Sequence, residues 1–229
     1  MAIIYGRADS EIQLLRKYPK EVRKIEDIPR VYDEFREGLG RETGVFAFVR
    51  RWNKKRQIKK FEKNRTSHFH AGAKGENKVL ARLSELSDDY HVLCGLRIGL
   101  PHTIRYRGQK NLRSAQMDFV VVSKKGVFVI EVKNWSDDYV ENHSGFSPYE
   151  QTDRAGRVLW VAMRSILMDV RITSVLLSVR GNMQYDRNYR TVLVSSLERI
   201  KWFLEKEQDS LSEKEVERIV GSLKCYTSE

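Results

Sequence analysis

Hydrophobic residues recur at helical spacing through the first 66 residues and at strand spacing through much of the remaining chain. Three helices are predicted in the first part, near residues 10–18, 29–39 and 44–65. The first half of the third helix carries the apolar residues Val45, Phe48, Val49 and Trp52. Their spacing places them on one side of the helix, so we expect that side to pack against another surface.

After a short connection over 65–71, helices and strands alternate along the chain. The predicted helices lie near residues 72–86, 147–169, 196–207 and 212–224. The predicted strands lie near residues 90–98, 116–123, 126–133, 173–180 and 191–195, with a polar loop over 99–114. This order is typical of an α/β sandwich with a mixed sheet. We therefore divide the chain into a basic helical extension, 1–66, and an α/β domain with a helical C-terminal tail, 67–229.

Two of the helix starts carry capping signals. Ser147, Pro148 and Glu150 stand where an N-cap, the first helical position and the third helical position would be. Ser212 and Glu215 have the spacing of a capping box. Both signals place the start of a helix within a residue or so, which the apolar pattern alone does not do.

Composition limits where the chain is expected to work. No apolar run reaches the length of a membrane span, since the best runs, 127–132 and 175–179, are strand-sized. The N-terminus lacks the basic and apolar regions of a signal peptide. The two cysteines, Cys94 and Cys225, have no metal-ligand spacing. We therefore expect a cytoplasmic protein with no disulfide framework and no membrane span.

The positive charge is concentrated in the third predicted helix. Residues 1–66 hold 18 Lys/Arg against 10 Asp/Glu, whereas the remaining 163 residues hold 24 against 21. The candidate nucleic-acid-binding residues are Arg50, Arg51, Lys54, Lys55, Arg56, Lys59 and Lys60, with Arg105 and Arg107 from the polar loop. Such a field favours a polyanion, either nucleic acid or an acidic membrane surface. A solvated helix and a solvated loop are the alternatives.

The main chemical pattern lies in a predicted hairpin that turns at Lys124 and Lys125. Symmetric pairing about this turn places Asp118 opposite Glu131, and Gln116 opposite Lys133. Side chains alternate along a strand, so these groups share one face of the sheet. The other residues of this strand on the same face as Glu131 are valines. The charged groups therefore stand at the end of a strand that is otherwise predicted to be buried.

Opposed carboxylates repel each other unless a cation compensates them. Mg²⁺ or Mn²⁺ would bind such oxygens, and a nearby lysine would orient water and stabilise a negatively charged phosphate. The pattern therefore suits phosphodiester hydrolysis. The alternative is a structural triad in which Lys133 neutralises Asp118 and Glu131.

Two further residues fit the same site. Glu76 lies on the apolar stripe of its helix, where a carboxylate is costly, although an acid near a helix N-terminus is also favoured by the helix dipole. Gln151 lies in the first turn of the helix predicted at 147–169. Its amide would hydrogen-bond a ligand or metal-bound water, or alternatively a nearby backbone group.

Three segments together resemble the nuclease-related domain (NERD) family over roughly residues 70–180. They are Gly72-Ala-Lys-Gly-Glu76-Asn-Lys-Val, Gln116-Met-Asp118-Phe-Val-Val-Val and Gly126-Val-Phe-Val-Ile-Glu131-Val-Lys133-Asn-Trp135. The family is of the PD-(D/E)xK, restriction-endonuclease-like kind. The resemblance implies a central mixed β-sheet flanked by helices, a divalent-metal site and DNA, in preference to RNA, as the substrate. The segment 67–229 would then be a NERD-like nuclease domain.

The resemblance also implies roles for single residues. Asp118 matches the metal-binding aspartate, Glu131 the second acidic ligand and Lys133 the catalytic lysine. Glu76 matches the helix glutamate, taken here as a further metal ligand, and Gln151 the glutamine of related nucleases. Met117 stands where the superfamily name has a proline. The basic helix of residues 1–66 lies outside the resemblance, so it inherits no role.

Two functions are carried forward as hypotheses. The first is a Mg²⁺- or Mn²⁺-dependent nuclease whose basic N-terminal region assists in nucleic-acid binding. The second is a non-catalytic nucleic-acid-binding module with a structural acidic and lysine cluster. A third, weaker hypothesis places the basic helix on an anionic membrane surface. The apolar face of that helix would also suit a homodimer through the N-terminal helices.

Overall fold

The computed structural model describes residues 1–41, 46–65, 68–142, 147–166 and 168–228. Its helices and strands run in the order β1 (Ile3–Tyr5), α1 (Asp9–Leu15), α2 (Asp27–Gly38), α3 (Ala47–Arg65), α4 (His68–Ser84), β2 (His91–Tyr106), β3 (Gln109–Ser123), β4 (Gly126–Lys133), α5 (Asp137–Asn142), α6 (Pro148–Ser165), β5 (Ile172–Ser178), β6 (Val192–Ser196), α7 (Ile200–Lys206) and α8 (Glu213–Leu223). The chain forms two compact units, which we call the sheet unit (1–8 and 75–229) and the helical unit (9–74).

The sheet unit is built on six strands in the order β1-β2-β3-β4-β5-β6. The pairs β2–β3 and β3–β4 are antiparallel, whereas β1–β2, β4–β5 and β5–β6 are parallel. Helices flank this mixed sheet, so the predicted α/β class and the restriction-endonuclease-like core are confirmed. The strand β1 was not predicted, because three residues are too few for an alternating pattern and its place is set by backbone pairing with β2.

Alternation along the central strands separates two apolar layers. One layer contains Val120 and Val129 and includes residues of α6 and α8. The other contains Phe119 and Ile130 and includes residues of α4 and α7. Side chains of period two therefore give each sheet face its own helices. The sheet around β4 thus has packed helices on both of its faces.

The predicted polar loop over 99–114 is wrong, because β2 and β3 form a long hairpin there. The two strands remain paired as far as Tyr106 and Gln109, with irregular register between Gly99 and Ile104. Arg107 and Gly108 make the turn, with φ of 47° and 83°. Most side chains at this end are exposed, so the strands lack the apolar alternation by which a strand is recognised.

The helix α6 begins as its capping signals predict and packs closely on the sheet. The Ser147 side chain accepts a hydrogen bond from the Glu150 amide, and Pro148 is the first helical residue. A Cβ added at Gly156 would lie 2.1 Å from the Ser174 Oγ of β5, so only glycine permits this approach. The capping box of Ser212 and Glu215 at the start of α8 is also formed. The N-terminal end of α6 is therefore held firmly over the sheet.

The helical unit has an apolar cluster of its own. Leu14, Val31, Phe61 and Ala73 are buried within it. The connection predicted over 65–71 is wrong for its last part, since α4 already begins at His68. Phe69 and His70 belong to that first turn, where Phe69 packs against the cluster and His70 is buried. Residues taken for a connection thus belong to a helix whose first turn packs on the apolar cluster.

The apolar face predicted on α3 has an unexpected environment. Val45 lies outside the described residues. The exposed fractions of Phe48, Val49 and Trp52 are 81%, 51% and 55%, so nothing in the described chain covers them. Instead α3 packs through Phe61, one residue of its opposite side. None of the helices in the described ranges is long and apolar enough to cross a membrane.

Candidate active site

The strand β4 ends in charged residues that lie inside the protein. Every residue of β4 before Lys133 is buried, and Lys133 itself is half-buried. Because β4 lies between β3 and β5, neither of its edges faces water. Glu131 and Lys133 continue the alternation of Val127 and Val129, so their side chains project to the α6 face. A buried carboxylate and ammonium are costly unless their partners compensate them.

Asp118 reaches the same strand end from β3. The predicted register is confirmed over the paired positions, from Ser123–Gly126 to Phe119–Ile130. The pairing stops one residue before Asp118 and Glu131. There the Asp118 carboxylate accepts a hydrogen bond from the Val132 amide at 2.8 Å. The Asp118 side chain thus replaces the backbone partner that this amide would have had in a continued ladder.

The pairing of β3 with β2 is also interrupted beside Asp118. It skips Gly95, which lies opposite Asp118 and has φ of 61°. The register is the same on both sides of this gap, so no residue is inserted there. Gln116, predicted to face Lys133, instead accepts a hydrogen bond from Arg97 of β2 at 2.9 Å. The expected pairing of Gln116 with Lys133 is therefore not part of the site.

Lys133, Glu131 and Gln151 form a closed hydrogen-bonded network. The Lys133 Nζ donates to Glu131 Oε1 at 2.7 Å and to Gln151 Oε1 at 2.9 Å. The Gln151 Nε2 donates to the same Glu131 oxygen at 2.5 Å. The exposed fractions of the Lys133 and Glu131 side chains are 14% and 3%. Gln151 stands in the first turn of α6, so this helix directly orients the lysine and the acid.

Burial and neighbouring charges govern the ionisation of these groups. Burial, and then the charge of Asp118, raise the pKa of Glu131 well above its usual range, although Lys133 acts in the opposite direction. Burial lowers the pKa of Lys133, but the charges of Glu131, Asp118 and Glu76 outweigh it and the net shift is upward. The site therefore keeps its lysine protonated and carries more acidic groups than one ammonium neutralises.

Glu76 stands on α4 within electrostatic reach of this network. It is buried, with an exposed fraction of 4%, as its place on the apolar stripe predicted. Its charge raises the pKa of Lys133 and, after burial, that of Cys94 on β2. The preceding residue, Gly75, lies against Asn134. A Cβ added at Gly75 would lie only 2.7 Å from the Asn134 Cβ. This close approach brings α4 to the residue that follows Lys133.

The oxygen donors present suit a hard divalent cation held by few protein ligands. Among the residues that the structure describes, no three His, Cys, Asp or Glu side chains are grouped so as to hold a metal ion. Burial, and then the negative charge of Asp118, nevertheless raise the pKa of Glu131, so the two carboxylates are close enough to interact. Mg²⁺ is usually bound by one or two carboxylates and completed by water and substrate phosphates. Two acidic groups that disfavour each other therefore fit such an ion.

The predicted arginines of the hairpin have different surroundings. Arg105 is exposed on β2. The guanidinium carbon of Arg107 lies 4.5 Å from the ring centre of Tyr189, and its Nη2 donates to the Asn188 carbonyl at 3.2 Å. The hairpin turn is thus fastened to the segment before β6. It is not the polar loop predicted from the sequence.

Sequence reasoning missed a row of arginines stacked on aromatic rings along α6. The guanidinium carbons of Arg157 and Arg164 lie 4.5 and 4.8 Å from the ring centre of Trp160. That of Arg154 lies 5.1 Å from the ring centre of Tyr106. The spacing of these arginines follows the outer side of the helix that carries Gln151. Helical periodicity in the charged positions, beside that of the apolar ones, would have identified the row.

Comparison with protein families agrees with the geometry. Residues 71–179 match the model of the family described as nuclease-related domain, NERD, which belongs to the restriction-endonuclease-like superfamily. The match confirms the resemblance and covers α4 through β5, the segment that supplies Glu76, Asp118, Glu131, Lys133 and Gln151. No curated protein and no solved structure matches the chain. The family match supports a nuclease-related function at that level of detail.

Proposed function

We propose that the sheet unit is a metal-dependent nuclease that hydrolyses phosphodiester bonds, with DNA as its substrate. The observation that carries this proposal is the buried network of Glu131, Lys133 and Gln151 beside the Asp118 carboxylate. A second carboxylate beside this buried ion pair raises the free-energy cost of burying the charged groups. A purely structural ion pair would not need that second carboxylate. Groups with perturbed ionisation of this kind gather at functional sites.

Under this proposal the lysine is the main charge-stabilising group. An ammonium has three N–H donors, of which Glu131 and Gln151 occupy two. The third can donate to a phosphate oxygen or to the attacking water. Because the ammonium is already held in place, little reorganisation accompanies the build-up of negative charge on the phosphate. Gln151 then serves to orient both Lys133 and Glu131.

Asp118 and Glu131 would hold Mg²⁺ or Mn²⁺, with Glu76 as the third acidic group. When bound, the cation would supply charge neutralisation for the phosphate and lower the pKa of bound water. The hydrogen bond from the Val132 amide keeps one oxygen of Asp118 in a fixed position. The family match supports a divalent metal in general, whereas the choice of ion and these ligands are proposals.

Cationic side chains outside the network would hold the rest of the polynucleotide. We assign phosphate contacts to the row Arg154, Arg157 and Arg164, whose guanidinium planes are steadied by aromatic rings. The basic residues of α3 and the hairpin arginines, Arg105 and Arg107, remain proposed nucleic-acid-binding residues. A cytoplasmic location and a homodimer also remain predictions.

The proposal is tested by cleavage of labelled single- and double-stranded DNA with Mg²⁺, Mn²⁺ or EDTA. Wild type is compared with Asp118→Ala, Lys133→Ala and Lys214→Ala, an exposed lysine of α8 that serves as the control. We expect metal-dependent cleavage in wild type and in Lys214→Ala, none in Asp118→Ala, and a rate at least about 100-fold lower in Lys133→Ala. Cleavage by Lys133→Ala at close to the wild-type rate would remove this lysine from the mechanism.

A non-catalytic nucleic-acid-binding module is the second candidate. The observation in its favour is the direct ion pair of Lys133 with Glu131 at 2.7 Å, which partly neutralises the acid without a metal. It predicts DNA binding that is the same in all four proteins, with no cleavage under any metal. That result would make the network a structural element of the sheet.

A further inference from the structure

The helix α3 carries large aromatic side chains in solvent. The exposed fractions of Phe48 and Trp52 are 81% and 55%, and the two residues lie one helical turn apart. Phe46, just before the helix, is also exposed, at 69%. Scattered exposed apolar residues need no explanation, but adjacent aromatic rings on one helix commonly mark a binding surface.

The opposite side of α3 is already used for packing. Phe61 is buried, and its ring lies 5.0 Å from that of Tyr18 in the helical unit. Near the middle of the helix the Lys54 Nζ donates to the Gly38 carbonyl at 3.0 Å, and near its end Asn64 donates to the Lys17 carbonyl at 3.1 Å. These contacts fix the rotation of α3 about its axis. Phe48 and Trp52 therefore remain on the outer side.

Cations follow the aromatic residues along that outer side. Lys55, Arg56, Lys59 and Lys60 are all exposed, and the helix holds nine Lys/Arg residues against the single acid Glu62. The row that begins at Phe48 spans about 22 Å at 1.5 Å per residue when measured to Lys63. It thus offers two rings at one end and a positive track along the remainder.

We infer that the outer side of α3 is a binding site for single-stranded DNA, with Phe48 and Trp52 as stacking platforms. A polyanion complements the charge, and unpaired bases have exposed faces on which aromatic rings stack. In a duplex those base faces are covered by their neighbours, so the rings would have nothing to stack on. The inference deepens the proposed function and rests on it for the choice of DNA as the polyanion.

Two other occupants fit the surface less well. An anionic membrane surface requires a broad apolar face, but on the outer side of α3 the large apolar side chains lie only in the first turns and cations follow them. A second copy of the chain would bring two strongly basic helices together, which their charge opposes. Single-stranded DNA alone uses both the rings and the cations. The membrane and the second copy are therefore tested as rival outcomes.

The experiment measures binding without cleavage, in full-length protein that carries Lys133→Ala and is kept in EDTA. The probes are a fluorescent oligothymidylate, an oligouridylate of the same length and a duplex, each titrated over a series of salt concentrations. Into this background we introduce Phe48→Ala with Trp52→Ala, or Lys55→Gln with Lys59→Gln and Lys60→Gln. The matched control is Trp202→Ala, which removes another exposed tryptophan, at 58% exposure, from α7.

We expect the oligothymidylate to bind more tightly than the duplex. The double aromatic variant should lose about tenfold or more of single-strand affinity and keep its salt dependence. The triple charge variant should lower the slope of log affinity against log salt by about 2, since each phosphate contact to a single strand contributes about 0.7. Trp202→Ala should bind as its parent does. Circular dichroism should show the α3 and Trp202 variants folded like their Lys133→Ala parent, because the additional side chains that they replace are exposed.

Several outcomes would overturn the inference. Unchanged single-strand affinity in the aromatic variant would do so, as would equal affinity for duplex and single strand. Tighter binding of the oligouridylate would transfer the site to RNA. Binding to vesicles of anionic lipid without DNA binding would assign α3 to a membrane. Sedimentation that shows self-association through Phe48 and Trp52 would assign it to a second copy. Absence of cleavage in wild type, with single-strand binding intact, would overturn the nuclease proposal and leave this site standing.

Discussion

The end of β4 and the helix α3 hold their charged groups in opposite environments. At the end of β4 a few ionisable groups are buried, and each has a defined partner at 2.5 to 2.9 Å. Along α3 nine cations share one acid, and most of them face solvent. Buried charges are costly and are retained where their positions matter, whereas exposed charges cost little and act collectively. The first pattern is suited to chemistry at one bond and the second to holding a long polyanion.

The largest expected effect comes from removing the buried ammonium. Lys133→Met keeps much of the side-chain volume but removes the charge and the donors to Glu131 and Gln151. We expect the rate of DNA cleavage to fall about 100-fold to 1000-fold, as when one preorganised donor to a developing anion is lost. Single-turnover kinetics at saturating protein measures this. A rate within a factor of a few of wild type would place the chemistry elsewhere.

The same comparison predicts that the α3 charges affect binding and leave the bond-breaking step unchanged. Lys55→Gln with Lys59→Gln and Lys60→Gln should weaken DNA binding at low salt and leave the single-turnover rate at saturation as in wild type. If this variant lowered the saturated rate as much as Lys133→Met does, the contrast between the two regions would be false.

The next prediction concerns stability and pH in the absence of metal. Burial and the Asp118 charge raise the pKa of Glu131, so the folded state holds this proton more tightly than the unfolded state does. The resulting stabilisation is fully present below the unfolded pKa and is lost as pH rises through the folded pKa. We expect the free energy of unfolding of wild type to fall by about 1 to 3 kcal/mol relative to that of Glu131→Gln between about pH 5 and pH 9.

Denaturant unfolding in EDTA, repeated with Mg²⁺, measures this difference. If the carboxylates bind the ion, Mg²⁺ should stabilise wild type most at the higher pH, where proton and metal compete least. Glu131→Gln should gain less from the ion. A difference between the two proteins that does not change with pH would mean that Glu131 is ionised throughout and fully paired with Lys133.

How far the sequence predicts this molecule depends on the kind of signal. The central strands are predictable because their side chains alternate, and the turn at Lys124 and Lys125 then fixes a register that the structure confirms. The end of the ladder at Asp118 is not predictable in this way, because there the Val132 amide donates to the Asp118 side chain and not to the backbone of β3. The long hairpin was missed because its polar strands have no apolar period.

Tertiary contacts also account for what was missed at the site. The sequence places Gln151 in a first helical turn, but only the packing of α6, with Gly156 against Ser174, brings that turn to Lys133. The exposure of Trp52 was likewise unpredictable, since an apolar residue at helical spacing usually faces a core. In both cases the sequence predicts the helix correctly. Whether the side chain is buried or exposed depends on which other element packs against that helix.

A further prediction tests the rigidity around the buried charges with a matched pair of glycines in α4. Gly75→Ala would place a Cβ 2.7 Å from the Asn134 Cβ, whereas Gly72→Ala would place one 3.5 Å from the Ser10 Oγ. The first change should cost about 1 to 3 kcal/mol and lower cleavage, because Asn134 follows Lys133. The second should be neutral or stabilise by up to about 1 kcal/mol through helix propensity. Equal effects in denaturant unfolding would contradict the close approach.

The smallest predicted effect is a change in stability when lysines of α3 are neutralised, and whether stability rises or falls is the informative result. The pair Lys55 and Lys59 lies at i,i+4, where like charges destabilise a helix by about 0.2 to 0.5 kcal/mol, and Lys60 adds to the same field. Lys55→Gln with Lys59→Gln and Lys60→Gln should therefore raise the Tm slightly at low salt, and the gain should vanish at about 1 M salt as screening becomes complete. Lys214→Gln, on a helix with three acids, should show no such gain. A loss of stability at low salt would mean that these lysines have partners within the protein. The charges of α3 would then be paired, like those at the end of β4, and would not act collectively.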